Sequence, residues 1–417
     1  MQSTGPHDVT VIGAGPAGLV AALALARVGA TVTIAAPFDQ SHTDRRTTAV
    51  LGGGLDLLKN LGVWTACDAA SAPLRAIRII DDGGGLIRAP EVLFRSEDAG
   101  LTQFGANIPN TVLVAALLDV ARATAAVTLH ATKAVAAIVP SAEGVAITDA
   151  DGNTWSSSLV VGADGRASIS RAAAGIDVRR WSYPQTAVVA AVTHTRNHDG
   201  ISTEFHRTPG PLTTVPLPSP AGGGYASSLV WVETPSEAAR LGTLDDAQFT
   251  AELSARLQGL LGRIGSVEPR GAFPLSGLNA TTMGQRRIAL VGEAAHVLPP
   301  IGAQGLNLGL RDAAALADCV ADGLAHGLTP GDASVLAAYH AARATDVRSR
   351  TFAVDALNRS LLVDLFPVQI ARGLGLHLTA NIAGLKRLAM RQGLEPAGER
   401  PRLMQPMVDA PAGMIAT

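Results

Sequence analysis

An α/β fold is what the sequence predicts: a parallel, helix-flanked sheet domain, a mostly antiparallel β-sheet domain inserted into it, and a helical C-terminal tail. Three observations lead there. A β-rich run, Val9 to Ile12, passes through a glycine-rich turn into an unbroken Ala/Leu stretch from Leu19 to Val28, the order of a strand and helix opening a parallel sheet. Strand signal returns late, at Ile288-Ala289-Leu290-Val291, and again hands over to a helix, expected from Gly305 to Ala321. Between about 180 and 270, β-rich runs alternate with Pro/Gly turns at 209–220 and 222–224, which suits short antiparallel strands.

Taken in order, Gly29 stands where a helix C-cap is expected, and the β-branched Thr31-Val32-Thr33-Ile34 brings the chain back to the parallel sheet. Short strands from about 75 to 95 surround Asp81-Asp82-Gly83-Gly84 as a hairpin. A helix is expected over 110–123, then a strand pair over 134–147 turning at Asp151-Gly152, and mostly helix from 333 to 395. The domains are drawn at 1–74, 100–180 and 270–345 for the nucleotide-binding part, and 75–99 and 181–269 for the inserted sheet. Residues 346–417 form the helical C-terminal region.

With 417 residues the chain exceeds one compact core. Its net charge of −2 and lack of a basic run exclude nucleic acid as a partner. Cys67 and Cys319 form neither a metal spacing nor a disulfide framework, so they read as reduced core thiols, and no metal is expected. Met1 to His7 is short and polar, and the apolar run Leu19 to Ala26 stops at Arg27, well short of the ~20 residues of a membrane span. The expected location is the cytoplasm, with room for peripheral contact on the inner face of a membrane.

The first chemical motif is Gly13-Ala14-Gly15-Pro16-Ala17-Gly18. Gly13 permits the tight strand-to-helix turn, Gly15 lets a pyrophosphate reach the backbone, and Gly18 lets helix and strand pack closely. The helix N-terminus favours the anion, so the domain reads as Rossmann-like. The acid expected about 20 residues on, to bind a ribose, is missing: that place falls at Ala35 or Ala36. Asp39, Gln40 and Arg46 stand near enough to compensate. A second segment, Val160-Val161-Gly162-Ala163-Asp164-Gly165, puts a carboxylate after a β run, where it either meets a ligand hydroxyl or closes an ordinary turn. The third runs from Leu290-Val291-Gly292-Glu293-Ala294-Ala295-His296 to Pro299-Pro300-Ile301-Gly302-Ala303-Gln304-Gly305-Leu306-Asn307-Leu308-Gly309. There a strand ends in a carboxylate, and a Pro/Gly loop feeds a helix N-terminus.

Together the three segments resemble the FAD-dependent aromatic-ring monooxygenases typified by para-hydroxybenzoate hydroxylase, over nearly the whole chain. The resemblance implies FAD, with Gly13, Gly15, Pro16, Ala17 and Gly18 at the pyrophosphate and Asp164 and Gly165 beside the cofactor. It also implies Glu293 toward the ribityl chain and Pro300, Gly302, Ala303, Gln304, Gly305, Leu306 and Asn307 along the isoalloxazine. Arg46 and Asn110 match further cofactor contacts of the family. Asp44-Arg45-Arg46-Thr47-Thr48-Ala49, Asn107-Ile108-Pro109-Asn110, Ala303 to Asp312 and the tail from Leu357 to Leu394 are most similar to the ubiquinone-biosynthesis hydroxylases. Departures are Ala36 for the acid, Glu293 for Asp, Pro299-Pro300 for His-Pro, and Gly302-Ala303 for Ala-Gly.

What this implies is hydroxylation of a polyprenyl phenol or benzoquinol ring by O2 through a flavin C4a-hydroperoxide, with NAD(P)H as donor. The flavin carries the chemistry, and no catalytic side chain is required. A multi-enzyme ubiquinone-synthesis complex is an implied partner. His194, His198, His206 and His296 are candidates for deprotonating a phenol, against the plainer reading of satisfied core groups. Trp181, Tyr183, Phe205 and Trp231 read either as pocket or as sheet core. From Leu361 to Leu394, apolar residues alternate with Arg372, Lys386, Arg387 and Arg391, which suits a helix lying on a membrane or packed on the protein. The alternatives are a hydroxylase of a small soluble phenol and, favoured by Ala36, a degenerate flavoprotein scaffold.

Overall fold

The strand Val9–Ile12 runs through the middle of the computed structural model, which describes residues 9–38, 44, 46–83, 90–362, 382–395 and 397–406. It pairs in parallel with Val32–Ala36 on one side and Leu159–Gly162 on the other. Val127–Ala131 and Ile288–Leu290 extend the sheet outward, and Gly284–Gln285 adds an antiparallel edge. The Val, Ile and Ala runs of the four strands Val9–Ile12, Val32–Ala36, Leu159–Gly162 and Ile288–Leu290 are almost wholly buried, as strands covered on both faces must be. The helix Pro16–Arg27 packs between Asn110–Ala123 and the long helix Gln304–Ala325. Eight of its residues, all Gly, Ala, Leu or Val, are buried.

The second sheet is mostly antiparallel, around the 17-residue strand Val178–His194. Tyr225–Glu233 and Gly271–Ala280 flank that strand, and Leu212–Leu217, Ile201–His206, Ala76–Asp81 and Val92–Arg95 continue outward. One pair, Ile201–His206 with Ala76–Asp81, is parallel. The strands 76–81 and 92–95 pair antiparallel as expected, and 84–89 between them lie outside the described residues.

Two sequence expectations gain detail. The stretch from 180 to 270 is β-rich as expected but also holds two helices, Pro235–Thr243 and Asp246–Leu257. Thr234 caps the first ahead of Pro235, and Asp245 closes a capping box with Gln248 on the second. These helices bury Leu241, Phe249 and Leu253 against Val188, Leu212, Leu229 and Trp231 of one sheet face. The pair expected over 134–147 is three strands, Val135–Pro140, Val145–Asp149 and Thr154–Ser157, and Asp151-Gly152 turns between the second and third. Asp149 fixes that turn by accepting from the backbone N–H groups of Asp151 and Asn153.

The late helix is longer than its apolar period suggests, running from Gln304 to Ala325. A 30-residue helix, Ala333–Leu362, follows it and crosses from the parallel sheet to the antiparallel one. Asn358 near its end donates to Gln185 at 2.8 Å. Residues 363–381 of the expected helical tail lie outside the described residues, and a helix resumes over Ala383–Leu394.

Candidate active site

The glycine-rich turn divides by geometry into two jobs. A Cβ on Gly13 would lie 2.4 Å from the Ala163 carbonyl oxygen, at a φ of +110°. One on Gly18 would lie 2.2 Å from the Gly13 carbonyl oxygen. Both glycines exist so that the first helix can sit on its strands. Gly15 has nothing within 4 Å of that direction. It caps the helix Pro16–Arg27, whose first turn has no side-chain cap and no acidic residue, so backbone N–H groups and the helix dipole face an open space.

Asp164 follows Ala163 directly, which ties it to the same turn. One of its oxygens accepts from the Ser170 N–H and hydroxyl, both at 2.9 Å, while its Oδ1 is buried without a partner. An orphaned carboxylate oxygen is costly unless something donates to it. Gly165 beside it adopts a φ of +76°. Ala35 and Ala36 are buried at the end of the second strand, so the missing acid is replaced by alkyl packing. Of the residues expected to compensate, Asp39 and Gln40 lie outside the described residues.

The third segment turns sharply at Gly292, whose N–H donates to Asp312 at 3.1 Å. Glu293 projects outward, half exposed, and meets the guanidinium of Arg166 at 3.1 and 3.2 Å. His296 turns inward, and its Nε2 lies 2.6 Å from Asp312. Pro300, Gly302 and Gly305 are exposed, and Gly305 faces open space. Ala303 holds a left-handed φ of +54° next to Gly302 at +62°. Alanine there carries strain of about 1–2 kcal/mol, which the inverted Gly-Ala order imposes. Asn307 secures the loop: its amide donates to the carbonyls of Ala303 and Ala49 at 2.7 and 2.8 Å and accepts from the Leu51 N–H at 2.9 Å. Gln304 is buried and its side chain turns away from the open side, bonded to the Gly302 carbonyl and to Arg350. Leu306 is half-buried against the core.

Arg46 and Asn110 are brought together by Asp44. Arg46 forms a two-pronged pair with Asp44 at 2.7 and 2.8 Å, and Asn110 donates to the same carboxylate at 2.8 Å. Burial pushes the Asp44 carboxyl up, but the bonds from Arg46 and Asn110 outweigh it and hold the group below its usual value. Asp44 foremost, and Glu293 more weakly, stabilise the charge on Arg46, so Glu293 and Arg46 share one space. The Arg46 guanidinium also lies 5.1 Å from the ring centroid of Phe273, which comes from the antiparallel sheet.

That sheet presents its other face to this space. Val189 and Val230 pair across it, half-buried, with Val215 nearby. Thr47 donates to Ser228 at 2.9 Å and Asn107 to the Pro216 carbonyl at 2.8 Å, which fixes the apolar face against the strand that follows Arg46 and the strand Gly105–Pro109 paired with it. Of the expected aromatic candidates, Phe205 and Trp231 are core on the far face. Trp181 and Tyr183 are linked to Asp355 on the long helix, the Tyr183 hydroxyl donating at 2.5 Å. His194 and His198 bond backbone and hydroxyl groups, and His206 faces Glu204 at 3.2 Å. With His296 on Asp312, all four histidines are held in place by protein groups.

The open backbone at Gly15, the orphaned Asp164 Oδ1 and the exposed Gly302–Gly305 loop suit a flavin dinucleotide. A family model described as the FAD binding domain matches residues 6–351. The chain belongs to this family. Within it, the chain is 36% identical over 406 residues to ubiquinone hydroxylase UbiL of Rhodospirillum rubrum, across 95% of this chain and 92% of that protein. It is 32% identical over 399 residues to 3-demethoxyubiquinol 3-hydroxylase of Escherichia coli, across 93% of this chain and 98% of that protein. The p-nitrophenol 4-monooxygenase PnpA of Pseudomonas putida DLL-E4 shares the fold with a TM-score of 0.76 at 19% identity, covering 94% of this chain and 99% of that one. This member of the family is a FAD-dependent monooxygenase.

Sequence reasoning missed Asp44 and Arg166 as organisers of the site. A carboxylate two residues before Arg46 is a signal for the first. For the second there is none, since Arg166 and Glu293 are 127 residues apart.

Proposed function

We propose that the chain hydroxylates the aromatic ring of a polyprenyl phenol or benzoquinol on the route to ubiquinone, with NAD(P)H as electron donor. The observation that carries this reading is the character of the sheet face that meets Arg46 and Thr47. It is apolar, built on Val189, Val215 and Val230, and the cation facing it, Arg46, is already paired with Asp44. Such a wall suits an uncharged, prenylated ring better than a small phenol carboxylate. The names of the two relatives point the same way.

In this reading, Gly13 and Gly18 set the turn and the backbone around Gly15, Pro16 and Ala17 meets the pyrophosphate. Asp164 Oδ1 and Glu293 accept from cofactor hydroxyls, and Gly165 leaves room beside them. Arg46 and Asn110 bound the cofactor's open side. Pro300, Gly302, Ala303, Gly305 and Leu306 line the ring system, with Asn307 and Gln304 holding their backbone. When bound, reduced FAD supplies the activation of O2 toward an electron-rich ring. The chain's own part is to orient that ring within about 3–3.5 Å of the reacting oxygen and to exclude water.

A prenylated substrate resides in lipid, so the enzyme must reach a membrane surface. No described helix is long and apolar enough to cross one. The described part of the tail exposes Ile382, Leu385 and Leu388, which supports peripheral contact. Serine at those three positions together should release the protein from liposomes in a flotation assay; unchanged flotation would remove the tail from the contact.

The deciding experiment is a lipid-quinone mass profile of bacterial strains that each lack one ubiquinone ring hydroxylase and express this chain. Restored ubiquinone in one strain names the carbon attacked, and in two it shows broad regioselectivity. No rescue by an expressed, FAD-loaded protein would overturn the assignment and bring a soluble phenol forward.

A further inference from the structure

We infer that Arg350 is a positioning residue of the oxygenation site, the clamp through which the C-terminal residues Gly393, Glu395 and Ala397 fix the flavin loop Gly302–Gln304. The inference rests on placing that loop beside the flavin.

The loop needs an external hold. Gly302 and Ala303 are consecutive left-handed residues, at φ +62° and +54°. Gln304, the next residue, uses both ends of its amide: the NH2 donates to the Gly302 carbonyl at 2.8 Å and the oxygen accepts from Arg350 Nη1 at 2.8 Å. The guanidinium has other partners in the same reach. Its Nε donates to Asp346 at 3.0 Å, Nη1 also to the Gly393 carbonyl at 3.2 Å, and Nη2 to the Glu395 carbonyl. Asp346 in turn accepts from the Ala397 N–H at 3.1 Å. The planar fork of an arginine spans these directions at once, which a lysine ammonium does not.

The network grips the stretch that ends in the loop at both of its ends. Asp346 also binds Arg343 at 2.9 Å and Arg311 at 3.3 Å, and Arg343 donates to Asp312 at 2.8 Å. Asp312 holds the Gly292 N–H and His296. The stretch from Gly292 to Gln304 therefore hangs between Asp312 and Arg350, two parts of one buried array. All five charged residues of the array are at most 8% exposed. Well-packed apolar side chains would often stabilise such a region equally well; what the ions add is a fixed geometry for the loop. Beyond the clamp, the chain stays tied down, with Arg402 on Asp318 and Asp322 and the Leu403 carbonyl accepting from Asn60.

The test uses the full-length, FAD-loaded protein and the variants Arg350→Met, Arg350→Lys, Gln304→Ala and the Met/Ala double variant. Hydrogen exchange of peptides covering 300–306 reads the loop, and the visible spectrum and affinity of bound FAD read its neighbour. Loss of a charged hydrogen bond should speed loop exchange about tenfold in Arg350→Met, with strands 9–12 and 159–162 unchanged. Gln304→Ala should match it, and the double variant should not exceed either. Arg350→Lys keeps Asp346 paired, so its melting temperature should stay near the parent's while the loop loosens and the flavin spectrum shifts. That variant and Gln304→Ala carry the test if Arg350→Met does not fold. Loop exchange at the parent rate in both would overturn the clamp. Faster exchange with unchanged flavin spectrum and affinity would instead overturn the placing of the loop beside the flavin.

Discussion

Alanine at Gly13 and at Gly15 should give opposite phenotypes, although the two glycines stand two residues apart in one motif. At Gly13 the added methyl meets the Ala163 carbonyl oxygen at 2.4 Å and the backbone is at φ +110°. The φ costs about 1–3 kcal/mol in an alanine, and repacking against a fixed strand about 1–3 kcal/mol more. The sum, roughly 2–6 kcal/mol, is a large part of a typical total stability of about 5–15 kcal/mol. At Gly15 the φ is −71° and the methyl enters open space. A small loss of N-cap preference is offset by about 0.4–1 kcal/mol from a stiffer unfolded chain, so apoprotein stability should barely move. The same methyl stands where a pyrophosphate oxygen would approach the helix N–H groups. Losing one such charged hydrogen bond, about 1.5–3 kcal/mol, weakens FAD by about 10- to 150-fold. The assay is a thermal melt of each apoprotein beside an FAD titration followed by flavin fluorescence. Gly15→Ala with unchanged FAD affinity, or with a melt depressed as far as that of Gly13→Ala, would refute the division of labour.

Two further outcomes follow from buried polar groups. Asn307→Ala removes three hydrogen bonds and strands the Leu51 N–H, so the apoprotein should lose about 2–4 kcal/mol in a denaturant melt; Asn307→Asp should do no better, because a carboxylate would face two carbonyl oxygens, and a parent-like aspartate would show the amide is not the bolt. Burial pushes Asp346 and Asp312 up, but Arg343 and Arg311 around the first, and His296 and Arg343 around the second, hold both below the usual aspartate value. Their folded-state shift is downward, so the stability they give is present above the unfolded value near about 4 and is lost as pH falls through their lower folded values. Melting temperature should therefore hold from about pH 7 to 5 and fall below about pH 4. Asp346→Asn should cost about 3–5 kcal/mol at neutral pH by leaving guanidiniums without their counter-ion, and should flatten the acid limb; an unaltered limb would place the acid-sensitive groups elsewhere.

The sequence by itself determined what depends on neighbours along the chain. The Val9–Ile12 strand, the glycine turn and its helix are local patterns with one sensible geometry, so the motif and the helix over 110–123 were legible from residue order. Residue order also brought out the three segments at 13–18, 160–165 and 290–309, and the family resemblance, not their spacing, proposed a cofactor for them. Even the overlooked helices over 235–257 had left their caps in the sequence, at Thr234-Pro235 and at Asp245 with Gln248. What only the tertiary structure decided is where distant segments meet. Asn307 bolts onto a strand 256 residues away, Arg166 finds Glu293, and Arg350 gathers Gln304 and the tail into one fork of hydrogen bonds. No periodicity encodes such pairings, because each partner is chosen by burial: a charged or polar group removed from water must find its complement wherever the packed chain has brought one.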